Sequence, residues 1–126
     1  MKKESTTAPV GVGSYHDWEV QELGSDKKFA VGYLRYAMES LNNPEERAGA
    51  LLSIRAVAEV YGGFAKVAAQ AGISRESLYR SLSPKGNPTL KTLVAVLNAV
   101  GLRLSVTQTS ETESGPPQST QNSAAA

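Results

Sequence analysis

GGFAKVAAQAGISRESLYRSLSPKGNPTLKTLVAVLNAVG, residues 62–101, is the stretch whose reading decides the fold. Its apolar spacing predicts three short helices with two tight connections. The first covers about Phe64 to Ala71 and stops at Gly72, where a helix end needs a residue that tolerates positive φ. Ile73 is apolar and suits the angle between two helices. Ser74 can cap the next helix, its hydroxyl accepting from an N–H one turn on. That next helix is short, about Arg75 to Leu82. A small residue, a glycine, an apolar residue and then a capped second helix form the pattern of a helix-turn-helix.

The second helix carries the chemistry. Leu78 and Leu82 lie one turn apart and face the core. At about 100° per residue, Glu76 and Arg80 then point away from it, with Ser77 and Tyr79 on the flanks and Arg75 projecting off the first turn. Arginine can grip guanine O6 and N7 with two bonds, and glutamate can accept from cytosine N4. Arg75, Glu76 and Arg80 are therefore base-reading candidates. Hydroxyls, amides and cations nearby hold phosphates. That makes Ser74, Ser77 and Tyr79 phosphate candidates, along with Lys85 and Asn87 in the loop Ser83-Pro84-Lys85-Gly86-Asn87-Pro88. A short polar-faced helix on a small scaffold suits a major groove.

Beyond the loop, Thr89 caps a last helix whose stripe is Leu90, Leu93, Val94, Leu97 and Val100, with Gly101 as its stop. Residues 102–107, LRLSVT, alternate apolar and polar and predict a one-sided strand. A single strand is not viable alone. Leu102, Leu104 and Val106 are therefore expected to pair with a second copy, so that a two-fold homodimer presents two reading helices to two half-sites.

On the other side, Asp26 to about Leu41 repeats Ala30, Tyr33, Leu34, Ala37 and Leu41 at helical spacing, capped by Ser25 or Asp26. Asn43-Pro44-Glu45-Glu46 opens a further helix, with Asn43 as cap and Pro44 in the first position. Its inner face is Leu51, Ile54, Ala58 and Tyr61, with Ala50 and Val57 beside them, and Gly62-Gly63 closes it. Residues 14–25, SYHDWEVQELGS, read as a short strand or an irregular segment over the core. The expected whole is an all-α domain of about five helices at 14–107, with an N-terminal helical part at 14–61 and the three short helices at 62–101. A C-terminal β-strand follows at 102–107. A flexible arm over 1–13 and a disordered Ser/Thr/Gln/Pro/Ala-rich tail over 108–126 flank it.

The net charge of +1 hides an asymmetry. Residues 62–109 hold six Lys/Arg against Glu76 alone, whereas residues 1–61 hold seven Lys/Arg against nine Asp/Glu. The basic charge sits where phosphate contact requires it. There is no cysteine and one histidine, His16, in a polar stretch; no metal-ligand spacing or phosphate loop is present, so an enzyme or a cofactor is not expected. No apolar run has the length of a membrane span and the first residues lack the apolar core of a signal peptide, which points to the cytoplasm.

Residues 62–107 resemble the helix-turn-helix of phage-repressor-like transcription factors. More narrowly, AAQAGISRESLYRSLSPKGNPTLKTLVAVLNAVGLRLSV at 68–106 looks like the probable addiction-module antidote proteins, the antitoxins of certain bacterial type II toxin–antitoxin pairs. The run SRESLYRSLSPKGNP, its following apolar helix and LRLSV make the match narrower than a generic motif. The resemblance implies neutralisation of a small toxin of the RelE/HigB type and repression of the pair's own operon at a palindromic operator. It also implies a basic toxin, which the mildly acidic residues 14–61 would suit. There Tyr15 and Trp18 are candidate anchors, and Glu19, Glu22, Asp26, Glu39, Glu45 and Glu46 supply the charge, with Tyr15, Trp18, Glu19 and Glu22 the leading candidates. One departure stands out: many repressor-like domains open the first motif helix with a Thr-Gln pair that clamps the backbone, and Gly63-Phe64 stands here instead. Two other readings compete, a stand-alone phage-type regulator without a toxin and a helical adaptor that binds no DNA.

Overall fold

The computed structural model describes residues 12–109. They form six helices: α1 (Val12–Ser25), α2 (Lys27–Ser40), α3 (Arg47–Val60), α4 (Gly63–Ala71), α5 (Arg75–Ser81) and α6 (Leu90–Val100). α1 and α2 pack on α3, and α5 and α6 pack around α4. α3 also touches α4 and α6, so it is the helix both halves share. Its sequence reflects this. A one-sided helix buries positions three and four apart, but α3 buries Ala50, Leu51, Ile54, Ala56, Val57 and Ala58, an arc wide enough for neighbours on two sides.

The core is continuous through both halves. Leu23, Leu34, Leu51, Ile54, Leu78 and Leu82 are fully buried, each contributing about 1.5–3 kcal/mol of transfer free energy. Alanines at 30, 37, 50, 56, 58, 68, 71 and 95 line the same core, and small residues at contacts let helix axes approach closely. Polar bonds fix the ends. Asp26 caps α2 by accepting from the Phe29 N–H at 3.2 Å. The Tyr61 hydroxyl donates to the Leu23 carbonyl at 2.7 Å and ties the end of α3 to α1.

The structure differs from expectation at four places. Residues 14–25 are neither strand nor irregular but belong to α1, making six helices rather than about five. Among its described side chains the buried ones are Glu19 and Leu23, one turn apart; Glu19 is only 7% exposed and accepts a hydrogen bond from the Tyr33 hydroxyl. Second, α3 does not start at Pro44. The Asn43 side chain accepts from the Glu45 N–H at 2.9 Å within a turn, and the helix begins at Arg47. Third, Leu90 is 64% exposed in the first position of α6, whose buried face is Thr92, Ala95, Val96, Leu97 and Val100. Fourth, among the described residues there is no strand. Residues 102–107 run without regular structure, because one chain supplies no edge for them to pair with. The Leu102 N–H instead donates to the Leu97 carbonyl at 2.8 Å and its side chain packs on the core, while Leu104 and Val106 stay exposed. The arm expected over 1–13 lies outside the described residues except that Val12 and Gly13 already belong to α1; the expected tail lies outside them from residue 110 on.

Candidate functional site

The site is built on α5, a helix too short to hold itself. Three local devices set it. The backbone leaves α4 through Gly72 at φ 74°, a left-handed conformation that costs a side-chain-bearing residue about 1–2 kcal/mol. Ser74 then caps α5, its hydroxyl accepting from the Ser77 N–H at 3.0 Å. Leu78 and Leu82 dock fully buried into the core. With these two faces fixed, Arg75, Glu76, Tyr79 and Arg80 are exposed and Ser77 is half-buried. Glu76 lies in the first turn and Arg80 in the last, each at the end where the helix dipole favours its charge.

Arg80 stands between two shallow depressions. One of about 580 Å³ is lined by Phe64, Arg75, Glu76, Tyr79, Arg80 and Ser83. The other, about 360 Å³, is bounded by Ser77, Arg80, Lys85 and Asn87 among others. All three base-reading candidates thus share the first depression, and two loop candidates join Ser77 and Arg80 in the second. Arg80 Nη2 donates to Ser77 Oγ at 3.3 Å, a long bond on the open face. The Ser74 hydroxyl oxygen accepts in the cap, which leaves its O–H as a donor. Asn87 is also engaged, its Oδ1 accepting from Arg47 at 3.2 Å.

Tyr79 has a role that residue type alone does not reveal. The Arg55 guanidinium lies over its ring, 4.2 Å from the centroid. Phe64 meets the same ring edge-on at 5.8 Å and 85°. Arg55 also donates to Ser83 Oγ at 3.3 Å, and Arg47 donates to the Gly86 carbonyl at 3.3 Å as well as to Asn87. Two arginines of α3 therefore clamp α5 and the 83–87 loop from behind. A cation–π contact is worth about 0.5–2 kcal/mol depending on desolvation, and an aromatic pair about 0.5–1.5 kcal/mol beyond area. Phe64 is part of this stack. The sequence signal for Arg47 and Arg55 was faint: two arginines eight residues apart, hence on one side of a helix, in an otherwise acidic half.

The loop approaches α5 closely. A Cβ built at Gly86 would run into the Ser81 carbonyl and lie 2.7 Å from the Arg80 carbonyl oxygen. Only glycine lets the chain turn back there and set Lys85, which is exposed, beside Arg80.

A second concave face lies on the opposite half. A groove of about 840 Å³ runs between α1, α2 and α3 and reaches Arg55 and Tyr79. Of the proposed toxin-facing residues, Tyr15 and Glu19 line it; Trp18 and Glu22 are on α1 beside it. Tyr15 and Trp18 stack with centroids 5.9 Å apart, and both are largely exposed. His16 stands between Glu19 and Glu59, at 3.5 and 3.2 Å. Burial first, and then the Glu19 carboxylate, push the Tyr33 hydroxyl above its usual range. Among the described residues no group of His, Cys, Asp or Glu is arranged to hold a metal ion, and no helix is long and apolar enough to cross a membrane.

Comparison with known proteins bears on both faces. A family model described as "Probable addiction module antidote protein" matches residues 15–108. An uncharacterized protein of Haemophilus influenzae (strain ATCC 51907 / DSM 11121 / KW20 / Rd) is 49% identical over 43 residues, which is 34% of this chain. The match spans 44% of that relative, less than half its length. No solved structure matches the chain. The family match runs from α1 through the segment after α6 and so takes in both concave faces: the chain belongs to the probable addiction-module antidote protein family.

Proposed function

We propose that this protein is the antitoxin of a toxin–antitoxin pair, that it neutralises a toxin of the RelE/HigB type, and that it represses its own operon by binding DNA. In this reading α4, the turn at Gly72-Ile73 and α5 are a helix-turn-helix, and α5 enters the major groove. The observation that carries it is the outer face of α5: Arg75, Glu76 and Arg80 are exposed around one depression while the leucines behind them are buried. Arg80 and Arg75 are the guanine readers and Glu76 the cytosine reader. Lys85 and Ser77 hold phosphates, and the basic balance of residues 62–109 supports that role. Arg55 and Phe64 act through Tyr79 by fixing the angle of α5. Two copies pair through residues 102–107, where Leu104 and Val106 are exposed and their backbone has no ladder partner, and this pairing spaces two reading helices over a palindrome.

The test is duplex binding to the DNA upstream of the gene, followed by fluorescence anisotropy across a salt series. Arg80→Ala should weaken the upstream site by about 1–3 kcal/mol and leave random duplex unchanged. Lys85→Ala should weaken both alike and lower the salt slope by about one. Equal losses on both duplexes for Arg80→Ala would remove it as a base reader. A wild-type chain that binds no duplex at low salt would refute the repressor reading.

A further inference from the structure

The groove between α1, α2 and α3 meets the reading helix only at Tyr79, and its chemistry opposes nucleic acid. Its small-residue floor includes Ala37, Ala50 and Ala56, all buried, which leaves room for an incoming backbone. Tyr15, Tyr36 and Leu52 line it while 54%, 66% and 37% exposed. Exposed aromatic and aliphatic side chains gathered round one concavity are the composition of an interface anchor pocket. The charged side chains are Glu19, Glu45, Glu46 and Glu59 against Arg55, with His16 lining the groove between Glu19 and Glu59. Arg55 is engaged with Tyr79 and Ser83, and Glu19 is buried against the Tyr33 hydroxyl, so the exposed acids are Glu45, Glu46 and Glu59. Three exposed carboxylates repel a phosphate backbone and attract lysine and arginine.

We infer that this groove is the docking site for a basic amphipathic segment of the partner protein, its apolar side on Tyr15, Tyr36 and Leu52 and its cations on the glutamates. The inference rests on the antitoxin reading and names the surface that meets the toxin. It also places the occupant against Arg55 and Tyr79, the stack that holds α5.

The experiment uses the tagged full chain co-expressed with the product of the adjacent open reading frame, then titration of the purified pair at 0.1 and 0.5 M NaCl. Leu52→Arg should weaken the pair at least about tenfold by placing a charge on an apolar anchor. Glu45→Lys with Glu46→Lys should weaken it about tenfold at 0.1 M and far less at 0.5 M, since rim charges are screened. Asp17→Lys, an exposed acid on α1 that does not line the groove, should stay within about twofold. All three should keep the helical circular dichroism and upstream-DNA binding of the wild type. Groove variants that hold the partner as tightly as wild type would overturn the groove while leaving the antitoxin reading intact. A wild-type chain that retains no partner would overturn the antitoxin reading and this inference with it. Groove variants that lose self-association in sedimentation, but not the partner, would assign the groove to a second copy of this chain instead.

Discussion

One methyl group, added at two different glycines, should move stability in opposite directions. Gly86 lies where the loop folds back on α5; a Cβ there meets the Ser81 carbonyl and comes to 2.7 Å of the Arg80 oxygen. Both neighbours are backbone in the last turn of α5 and its end, so neither can rotate away. Relieving such an overlap costs about 1–3 kcal/mol. Displacing the loop also strains the bond from the Gly86 N–H to the Ser83 carbonyl, 2.7 Å, and the Arg47 bond to the Gly86 carbonyl, 3.3 Å. Losing one such bond adds about 0.5–1.5 kcal/mol. The restricted unfolded chain returns about 0.4–1 kcal/mol. Gly86→Ala should therefore destabilise by about 0.5–4 kcal/mol net, with the middle of the range at about 2 kcal/mol. Gly32 sits mid-α2, exposed, with no atom within 4 Å of a built Cβ. Gly32→Ala should stabilise by about 0.5–1 kcal/mol, the helix-propensity difference. Urea unfolding followed by circular dichroism, with linear extrapolation, measures both. Gly86→Ala should also weaken DNA binding by the folded protein, because Lys85 and Asn87 flank the displaced residue. A Gly86→Ala stability within about 0.5 kcal/mol of wild type, or a shift of the same sign at both glycines, would refute the close-approach argument.

Ser74→Ala should cost about 1 kcal/mol, the value of a lost N-cap; in the same titration, a loss of only a few tenths would mean that Leu78 and Leu82 hold α5 without its cap. A double-mutant cycle of Arg55→Ala and Tyr79→Leu should give a coupling of about 0.5–2 kcal/mol, and a value near zero would show that the stack does not fix α5. The raised Tyr33 hydroxyl gives a pH dependence at the alkaline end. Its neutral form is favoured by folding, so this contribution is complete below about pH 10, where an unfolded tyrosine ionises, and is lost as pH rises further. Stability measured at rising pH from that point should fall less steeply in Tyr33→Phe than in wild type; parallel slopes would count against it.

Features that depend on neighbours within one helical turn are legible in the residues alone. The caps of Ser74 and Thr89 span three residues, and both formed, Thr89 accepting from the Thr92 N–H at 3.2 Å. Gly72 and Gly101 end their helices with positive φ because the backbone conformation belongs to the residue itself. Leu78 and Leu82 could be assigned inward, and Glu76 and Arg80 outward, because helical spacing fixes relative angle once one face is buried; Arg75 lies nearer the core side by angle and is exposed because it stands in the first turn. The half-to-half charge asymmetry was equally legible.

Features that join partners far apart in the chain come from the fold. α1 escaped hydrophobic periodicity because a glutamate, Glu19, shares its buried side with Leu23, made tolerable there by the Tyr33 hydroxyl fourteen residues away. The clamp of Arg47 and Arg55 on the 83–87 loop spans 28 to 40 residues, and nothing local to either arginine announces it. Leu90 obeyed the apolar period yet lies outside, because the first residue of a helix can be in phase with the stripe and still overhang the edge of the core. The alternation at 102–107 says which side chains share a face, whereas a strand exists only when a second backbone supplies the other half of its hydrogen bonds, and among the described residues of one chain none does.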